Sequence, residues 1–197
     1  MSKKVLVMID MQNDFITGSL GTPEARQIVD KVADKIRNFD GTIILTKDTH
    51  DENYGETLEG KKLPIKHCID GTAGHNFAPE IEQALKQKLA NNSTLILDDE
   101  TLKFKDNIYV VKKETFGTSR IAGIINEYIT SYRKFMNFEI EICGLCTDIC
   151  VVSNALILRA NFPNNIITVY KDCCAGTTPA AHEAALTVMR NCQIDVI

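Results

Sequence analysis

Residue types able to do covalent or metal chemistry crowd into a few short stretches of this chain. Phe138 to Cys143 alternates apolar and charged side chains as a strand does, and Gly144 breaks it. Thr147 is then a capping residue for a helix whose face runs through Val151, Ala155 and Leu158. Such a junction puts Cys150 in the first turn of a helix. There the unpaired N–H groups and the positive end of the dipole favour a thiolate over a thiol, so Cys150 is the candidate nucleophile. Cys143 and Cys146 are expected as small buried residues. The spacing of the three also permits a metal cluster completed by Cys173 or Cys174, but Cys143 lies within the strand and points away from Cys150.

A thiol needs a base, and Asp10, at the end of the apolar run Lys4 to Ile9, is placed to serve as one. A carboxylate alone would repel a thiolate, so a cation is required beside the pair. Lys112 and Lys113 close the run Tyr109 to Val111 and, being adjacent on a strand, point to opposite sides, so at most one faces the site. Asp48-Thr49-His50 leaves another strand with Asp48 and His50 on one side, a spacing suited to two ligands of one metal. Glu52, Glu56, Glu59 and His67 follow in the same irregular segment; the glutamates alone read as a solvated acidic loop, but two of the chain's four histidines together with Asp48 favour a metal site. Phe15, Leu20 and Phe116 are candidates to line a slot for a flat ring, although each is equally suited to ordinary core. His75 and His182 are expected as surface or helix residues.

The elements that must position these groups follow from hydrophobic period. Lys4 to Ile9 and Thr42 to Thr46 are apolar runs of the kind found in strands buried on both faces. Between them Pro23 starts a helix carrying Ile28, Val29, Val32, Ile36 and Phe39, which makes a β-α-β unit with parallel strands. Met11 to Gly21 and Lys47 to Phe77 read as irregular, the second long enough to imply function. A helix over Pro79 to Leu89, a break at Asn91 to Ser93, and strands at Thr94 to Leu97 and Asn107 to Val111 come next, the last two paired as an elaboration. A helix after Ser119, the strand and helix around Cys150, a strand at Ile166 to Tyr170, a helix from Thr178-Pro179 and a short strand at Ile194 to Ile197 complete the chain. This alternation predicts a doubly wound α/β sheet of about six mostly parallel strands with helices on both faces, one domain spanning residues 1–197. In that architecture Asp10, Asp48, the lysine pair and the Gly144 to Cys150 turn all fall at carboxyl ends of strands, so they converge on one crevice.

The 197 residues, 44% of them hydrophobic and 24% charged, suffice for a full core. A formal net charge of -4 argues against nucleic acid or an anionic membrane as the main partner. No apolar run approaches membrane-spanning length, and Met-Ser-Lys-Lys leads directly into a strand, so a cytoplasmic location is expected. Seven cysteines, an odd number without an export signal, speak for reduced thiols.

Asp10-Met11-Gln12-Asn13-Asp14-Phe15, Lys113-Glu114-Thr115-Phe116 and Gly144-Leu145-Cys146-Thr147-Asp148-Ile149-Cys150-Val151 resemble the three signature segments of the isochorismatase-like cysteine hydrolases, in the same order. The resemblance implies a catalytic triad of Asp10, Lys113 and Cys150. It also implies a cis peptide at Leu145-Cys146 and an oxyanion hole made by the backbone N–H groups of Cys146 and Cys150. Leu63 to Gly74 is similar to the Pro-x-x-His-Cys-x-x-Gly-Thr-x-Gly segment of the nicotinamidase branch. That likeness implies a divalent metal held by Asp48, His50 and His67 with Glu59 as fourth ligand and Glu56 as the alternative. Zinc is the first choice of metal, with iron or manganese behind it. The chain departs from that branch in having no tryptophan, no His-Pro after Asp48, and a glutamate where a third histidine is usual. The implied activity is hydrolysis of nicotinamide to nicotinate and ammonia through a cysteine thioester, in a protein expected to form a homo-oligomer. The rivals are a cysteine hydrolase of another small amide or carbamoyl compound and a non-catalytic thiol redox module.

Overall fold

A computed structural model describes residues 3–89, 94–98, 101–104, 108–131 and 138–197. Strand β1 (Lys3–Ile9) sits at the centre of the sheet, flanked in parallel by β2 (Thr42–Asp48) on one side and β6 (Phe138–Leu145) on the other. Leu6, Val7, Met8 and Ile9 are fully buried, as expected for a strand covered on both faces. Beyond β2 comes β5 (Ile108–Lys113), and beyond β6 come β7 (Ile166–Ala175) and the two-residue β8 (Asp195–Val196), all parallel. These are the six parallel strands that the alternation of period predicts.

The sheet extends further on the β5 side. β3 (Thr94–Asp98) and β4 (Thr101–Phe104) form an antiparallel pair, and β4, not β3, lies against β5. The expected direct pairing of the 94–97 run with the strand ending at Val111 is therefore corrected, because Thr101–Phe104 intervenes. The break at Asn91 to Ser93 and the residue Asn107 lie outside the described residues.

Helices α1 (Asn13–Ile16), α2 (Pro23–Asn38), α3 (Leu58–Lys62), α4 (Pro79–Lys88), α5 (Arg120–Ser131), α6 (Val152–Asn161) and α7 (Pro179–Asn191) connect the strands. Thr22 and Thr178 cap α2 and α7 by accepting from Ala25 N and Ala181 N, each just ahead of a proline at the first helical position. The apolar stripe of α2 (Ile28, Val29, Val32, Ile36) is buried, and α2 packs against α4, while α5 and α7 pack against α6. Among the described residues no helix is long and apolar enough to cross a membrane.

Successive parallel strands are laid first to one side of β1 and then, from β6 on, to the other. The chain thus leaves β1 and β6 in opposite directions and opens a crevice beyond their carboxyl ends, where ligands bind in such sheets. Asp10 stands at the end of β1, Cys150 just beyond β6, and Asp48 and Lys113 end β2 and β5 as a registered pair. Gly144 makes the close approach of β6 to β1 possible: it has φ 120, and a Cβ there would lie 2.1 Å from Ile9 O. Gly144→Ala is expected to cost about 3 kcal/mol, a fall in Tm on the order of 10 °C, measurable by thermal unfolding.

Candidate active site

Lys113 is the hub of the crevice. Its side chain is buried, with Nζ 2.6 Å from Asp10 Oδ2, 3.3 Å from Asp48 Oδ1 and 3.6 Å from Cys150 Sγ. Lys112, its neighbour, points the other way and pairs with the exposed Asp70 at 2.8 Å, as alternation along a strand requires. Burial disfavours the ammonium of Lys113, but Asp10, Cys150 and Asp48 outweigh it and raise its pKa.

Asp10 is held in the left-handed region (φ 45), a conformation that aspartate tolerates better than most residues and that turns the chain sharply off β1. Its backbone N–H donates to Thr46 Oγ1 (3.2 Å), and the Thr46 hydroxyl in turn donates to Asp10 Oδ1 (2.6 Å). Oδ2 faces Lys113 as an ion pair away from the ideal hydrogen-bond direction, so it keeps acceptor capacity for a proton. Burial raises the Asp10 pKa and the neighbouring Asp48 adds to this, more than Lys113 lowers it. A carboxylate poised in this way is a better base near neutral pH than a solvated one.

Cys150 differs from expectation in one respect. The segment Thr147–Val151 is a π turn leading into α6, with Cys146 rather than Thr147 as its cap, and the Thr147 hydroxyl pairs with His182 Nδ1 (2.8 Å) instead. The sulfur at position 150 is buried. Loss of solvent and the Asp10 charge hold its thiol well above the ordinary range, against the pull of Lys113. Burial and the Asp10 charge thus oppose the thiolate that the helix start favours, so forming it calls for a base beside the sulfur. The Leu145-Cys146 peptide is cis. The Cys146 carbonyl accepts from Ile149 N and Val151 N (3.1 and 3.0 Å).

On the other side of Asp48 lie two imidazoles. Asp48 Oδ2 is 2.9 Å from His50 Nε2 and 3.4 Å from His67 Nε2, and Glu59 Oε1 approaches the same two nitrogens at 3.9 and 3.6 Å. Donor atoms of Asp48, His50 and His67 lie within 4.8 Å of one another, and all three residues are buried. His67 Nδ1–H donates to Ile65 O at 2.9 Å, which fixes the ring and turns Nε2 inward as an outer-shell carbonyl does for a ligating histidine. Burial opposes a charge on His67, but bonds to Asp48, Glu59 and Ile65 push it up to about 10. Asp48 is likewise held well below the usual carboxylate range, since bonds from His50 and His67 and the Lys113 charge overcome its burial. Glu56 is exposed at the end of a 3-10 turn (Glu52–Glu56), whereas Glu59 in α3 reaches the imidazoles.

The other predicted residues divide. Phe15 is buried with its ring 5.6 Å from that of His67, Leu20 is partly buried against the core, and Phe116 is 47% exposed in the segment after β5. Cys143 is fully buried in β6, and all seven cysteines are free. His182 lies in α7 as expected, but His75 is buried, not at the surface. Thr49 Oγ1 at 2.9 Å and Lys47 Nζ at 3.3 Å flank its ring, and desolvation with the adjacent lysine lowers its pKa to about 4.

The isochorismatase domain profile matches residues 4–96 and 99–197. The chain belongs to the isochorismatase family. Among this family's curated members it is 29% identical to an uncharacterized isochorismatase family protein, PncA, of Bacillus subtilis, over 96% of this chain and 95% of that one. It is 23% identical to the nicotinamidase of Saccharomyces cerevisiae over 78% and 80% of the two chains. Among solved structures, a nicotinamidase/pyrazinamidase PncA from Bacillus subtilis superposes with a TM-score of 0.75 at 26% identity, covering 98% of both chains. A pyrazinamidase of Pyrococcus horikoshii, in complex with zinc, shares the fold with a TM-score of 0.70 at 22% identity.

In this isochorismatase-family chain several site residues have roles that the sequence does not announce, Gln12 of the first signature segment among them. Thr46 is an ordinary strand residue in sequence. Tyr54 packs its ring edge against both imidazoles (4.7 and 5.0 Å) and donates its hydroxyl to Leu63 O. Gln12, fully buried, accepts from Asp48 N (2.7 Å) and donates to Asp48 O and His75 O (2.8 and 2.9 Å), so it fastens the strand end that carries Asp48. The Lys113 ion pair should be visible in stability: Lys113→Met leaves two buried carboxylates together and is expected to cost about 3–5 kcal/mol in urea unfolding. Adding Asp10→Asn should return a substantial part of that loss, whereas independent sites would add.

Proposed function

We propose that this protein is a metal-dependent amidohydrolase that converts nicotinamide to nicotinate and ammonia through a thioester on Cys150. The observation that carries this reading is Asp48. One of its oxygens faces Lys113 of the thiol site and the other faces the imidazoles of His50 and His67, so a nucleophile and a metal-donor set share one carboxylate. The relatives named nicotinamidase support the substrate.

Two imidazoles and two carboxylates, with His67 Nε2 turned inward by the Ile65 carbonyl, suit a divalent ion, zinc foremost and iron or manganese next. Asp48, His50, His67 and Glu59 would hold it, and when bound it supplies a Lewis-acidic position for the pyridine nitrogen of the substrate. Phe15, Leu20 and Phe116 are assigned to the walls around the ring.

In the reaction proper, Asp10 Oδ2 takes the proton of the Cys150 thiol while Lys113 stays charged and offsets the growing negative charge. The sulfur attacks the amide carbon, and the carbonyl oxygen is received by the backbone N–H groups of Cys146 and Cys150. Asp10 returns the proton to the amide nitrogen, the C–N bond breaks, ammonia leaves and an acyl thioester remains. Water then gives a proton to Asp10 and adds to the acyl carbon. The C–S bond breaks, the sulfur regains the proton from Asp10, and the product leaves as the acid, which gives its carboxyl proton to solvent to become nicotinate.

Purified reduced protein supplied with zinc should release ammonia from nicotinamide, and absence of release would sink the substrate assignment. Cys150→Ala should lower kcat by on the order of 10⁴-fold or more. His67→Ala should lose stoichiometric divalent metal by elemental analysis. The Asp10 pKa lies above its ordinary value and the base must be ionised. The acid limb of kcat/KM should therefore fall at a pH above about 4, activity being lost as pH drops through it.

A further inference from the structure

Asn154 takes no part in the chemistry above, yet its side chain is fully buried and every polar atom of its carboxamide is used. Nδ2 donates to Cys150 O at 2.8 Å and to Phe116 O at 3.1 Å, and Oδ1 accepts from Thr118 N at 3.0 Å. One end of this link is the nucleophile's own carbonyl, four residues earlier on the same helical face. The other end is the segment that follows β5, beginning three residues after Lys113. Gly117 of that segment lies directly on α6, since a Cβ there would come 2.7 Å from Ile157 Cδ1 and 3.1 Å from Ser153 Cβ. Lys113 Nζ and Cys150 Sγ are 3.6 Å apart, so the two chains carrying them are joined twice, once through the reacting groups and once through Asn154.

We infer that Asn154 is a positioning residue that fixes the Cys150 turn against the Phe116 segment, setting both the direction of the sulfur and the place of the substrate-side rim. The inference rests on the proposed hydrolase reading for what is being positioned. A buried polar side chain that served only packing would be replaceable by an apolar one of equal volume, because removing a whole set of paired polar groups is nearly neutral when none is left orphaned. Here the partners are three main-chain groups that stay behind, and they would have to move to find others.

Two variants separate the possibilities. Asn154→Leu keeps the volume and removes all three bonds. Asn154→Asp keeps the acceptor for Thr118 N but places a carboxylate against two carbonyl oxygens. Both should lower kcat for ammonia release by about 10–100-fold per folded molecule, the size expected for a displacement near 1 Å, with KM rising as the rim shifts. For Asn154→Asp the ratio to wild type should climb as pH falls, since a protonated carboxyl regains one donor; Asn154→Leu should show no such climb. Carbamidomethylation of Cys150 by iodoacetamide, followed by mass spectrometry, should change about 10-fold in rate in both variants.

That labelling readout does not depend on nicotinamide turnover, so a wrong substrate and a wrong role for Asn154 give different results. Variants that melt earlier but keep wild-type kcat, KM and labelling rate would make Asn154 merely structural and overturn the inference. Should neither variant fold, the wild type carries the test. The Thr118 amide, bonded to Asn154 Oδ1, should change its hydrogen-exchange rate by about 5-fold or more once Cys150 is carbamidomethylated. An unchanged rate would overturn the inference.

Discussion

The site is organised by one buried ammonium. An isolated lysine charge placed where Lys113 sits would shed its proton or unfold its surroundings, because leaving water costs several kcal/mol. Two carboxylates prevent that, and each comes from the end of a neighbouring parallel strand: Asp48 in register with Lys113 on β2, and Asp10 one strand further on β1. The sheet therefore does more than carry the residues. Its strand order determines which charges meet, and the meeting of those charges determines which ionisation states are affordable.

Sharing one cation between two carboxylates makes them unequal. Asp48 has further partners in His50 and His67 and settles well below the usual range, while burial pushes Asp10 upward against the pull of Lys113 and Thr46. That division gives one permanently charged anchor and one group able to exchange protons, from two copies of the same side chain. Burial and the neighbouring carboxylates push the Cys150 thiol up for the same reason that they push Asp10 up: each further negative charge in the cavity is opposed by those already there.

Much of this was legible in the residues. Continuous apolar runs announced β1, β2 and β5, and strand ends placed Asp10, Asp48 and one of Lys112 and Lys113 in one crevice, because a parallel sheet leaves its carboxyl ends together; the family resemblance selected Lys113. The two histidines spaced around an irregular segment converge on Asp48 as their types suggest. What could not be read was set by tertiary contact. Thr101–Phe104 is too short for its period to distinguish it from a loop, and its place between β3 and β5 depends on pairing rather than pattern. His75 looks like a surface residue by type and is buried because Thr49, Lys47 and Asp70 surround it. The helix-start rule weighs only local groups at Cys150, whereas burial of the sulfur, which opposes a thiolate, is a property of the whole fold. Asn154 did leave a trace, as a polar residue on the buried face of α6 four places after the cysteine.

The donor set has an uneven origin in the chain. His50, Glu59 and His67 all belong to the single segment between β2 and α4, whereas Asp48 ends a core strand and is already engaged with Lys113. The proposed nucleophile, base and cation lie outside that segment, at the ends of β1 and β5 and in the turn after β6. Replacing one excursion of the backbone would therefore exchange three of the four proposed metal donors together and leave Asp10, Lys113 and Cys150 standing, with Asp48 as the seam. A fold divided in this way can diversify its substrates by trading one insertion, without reinventing how it breaks a bond.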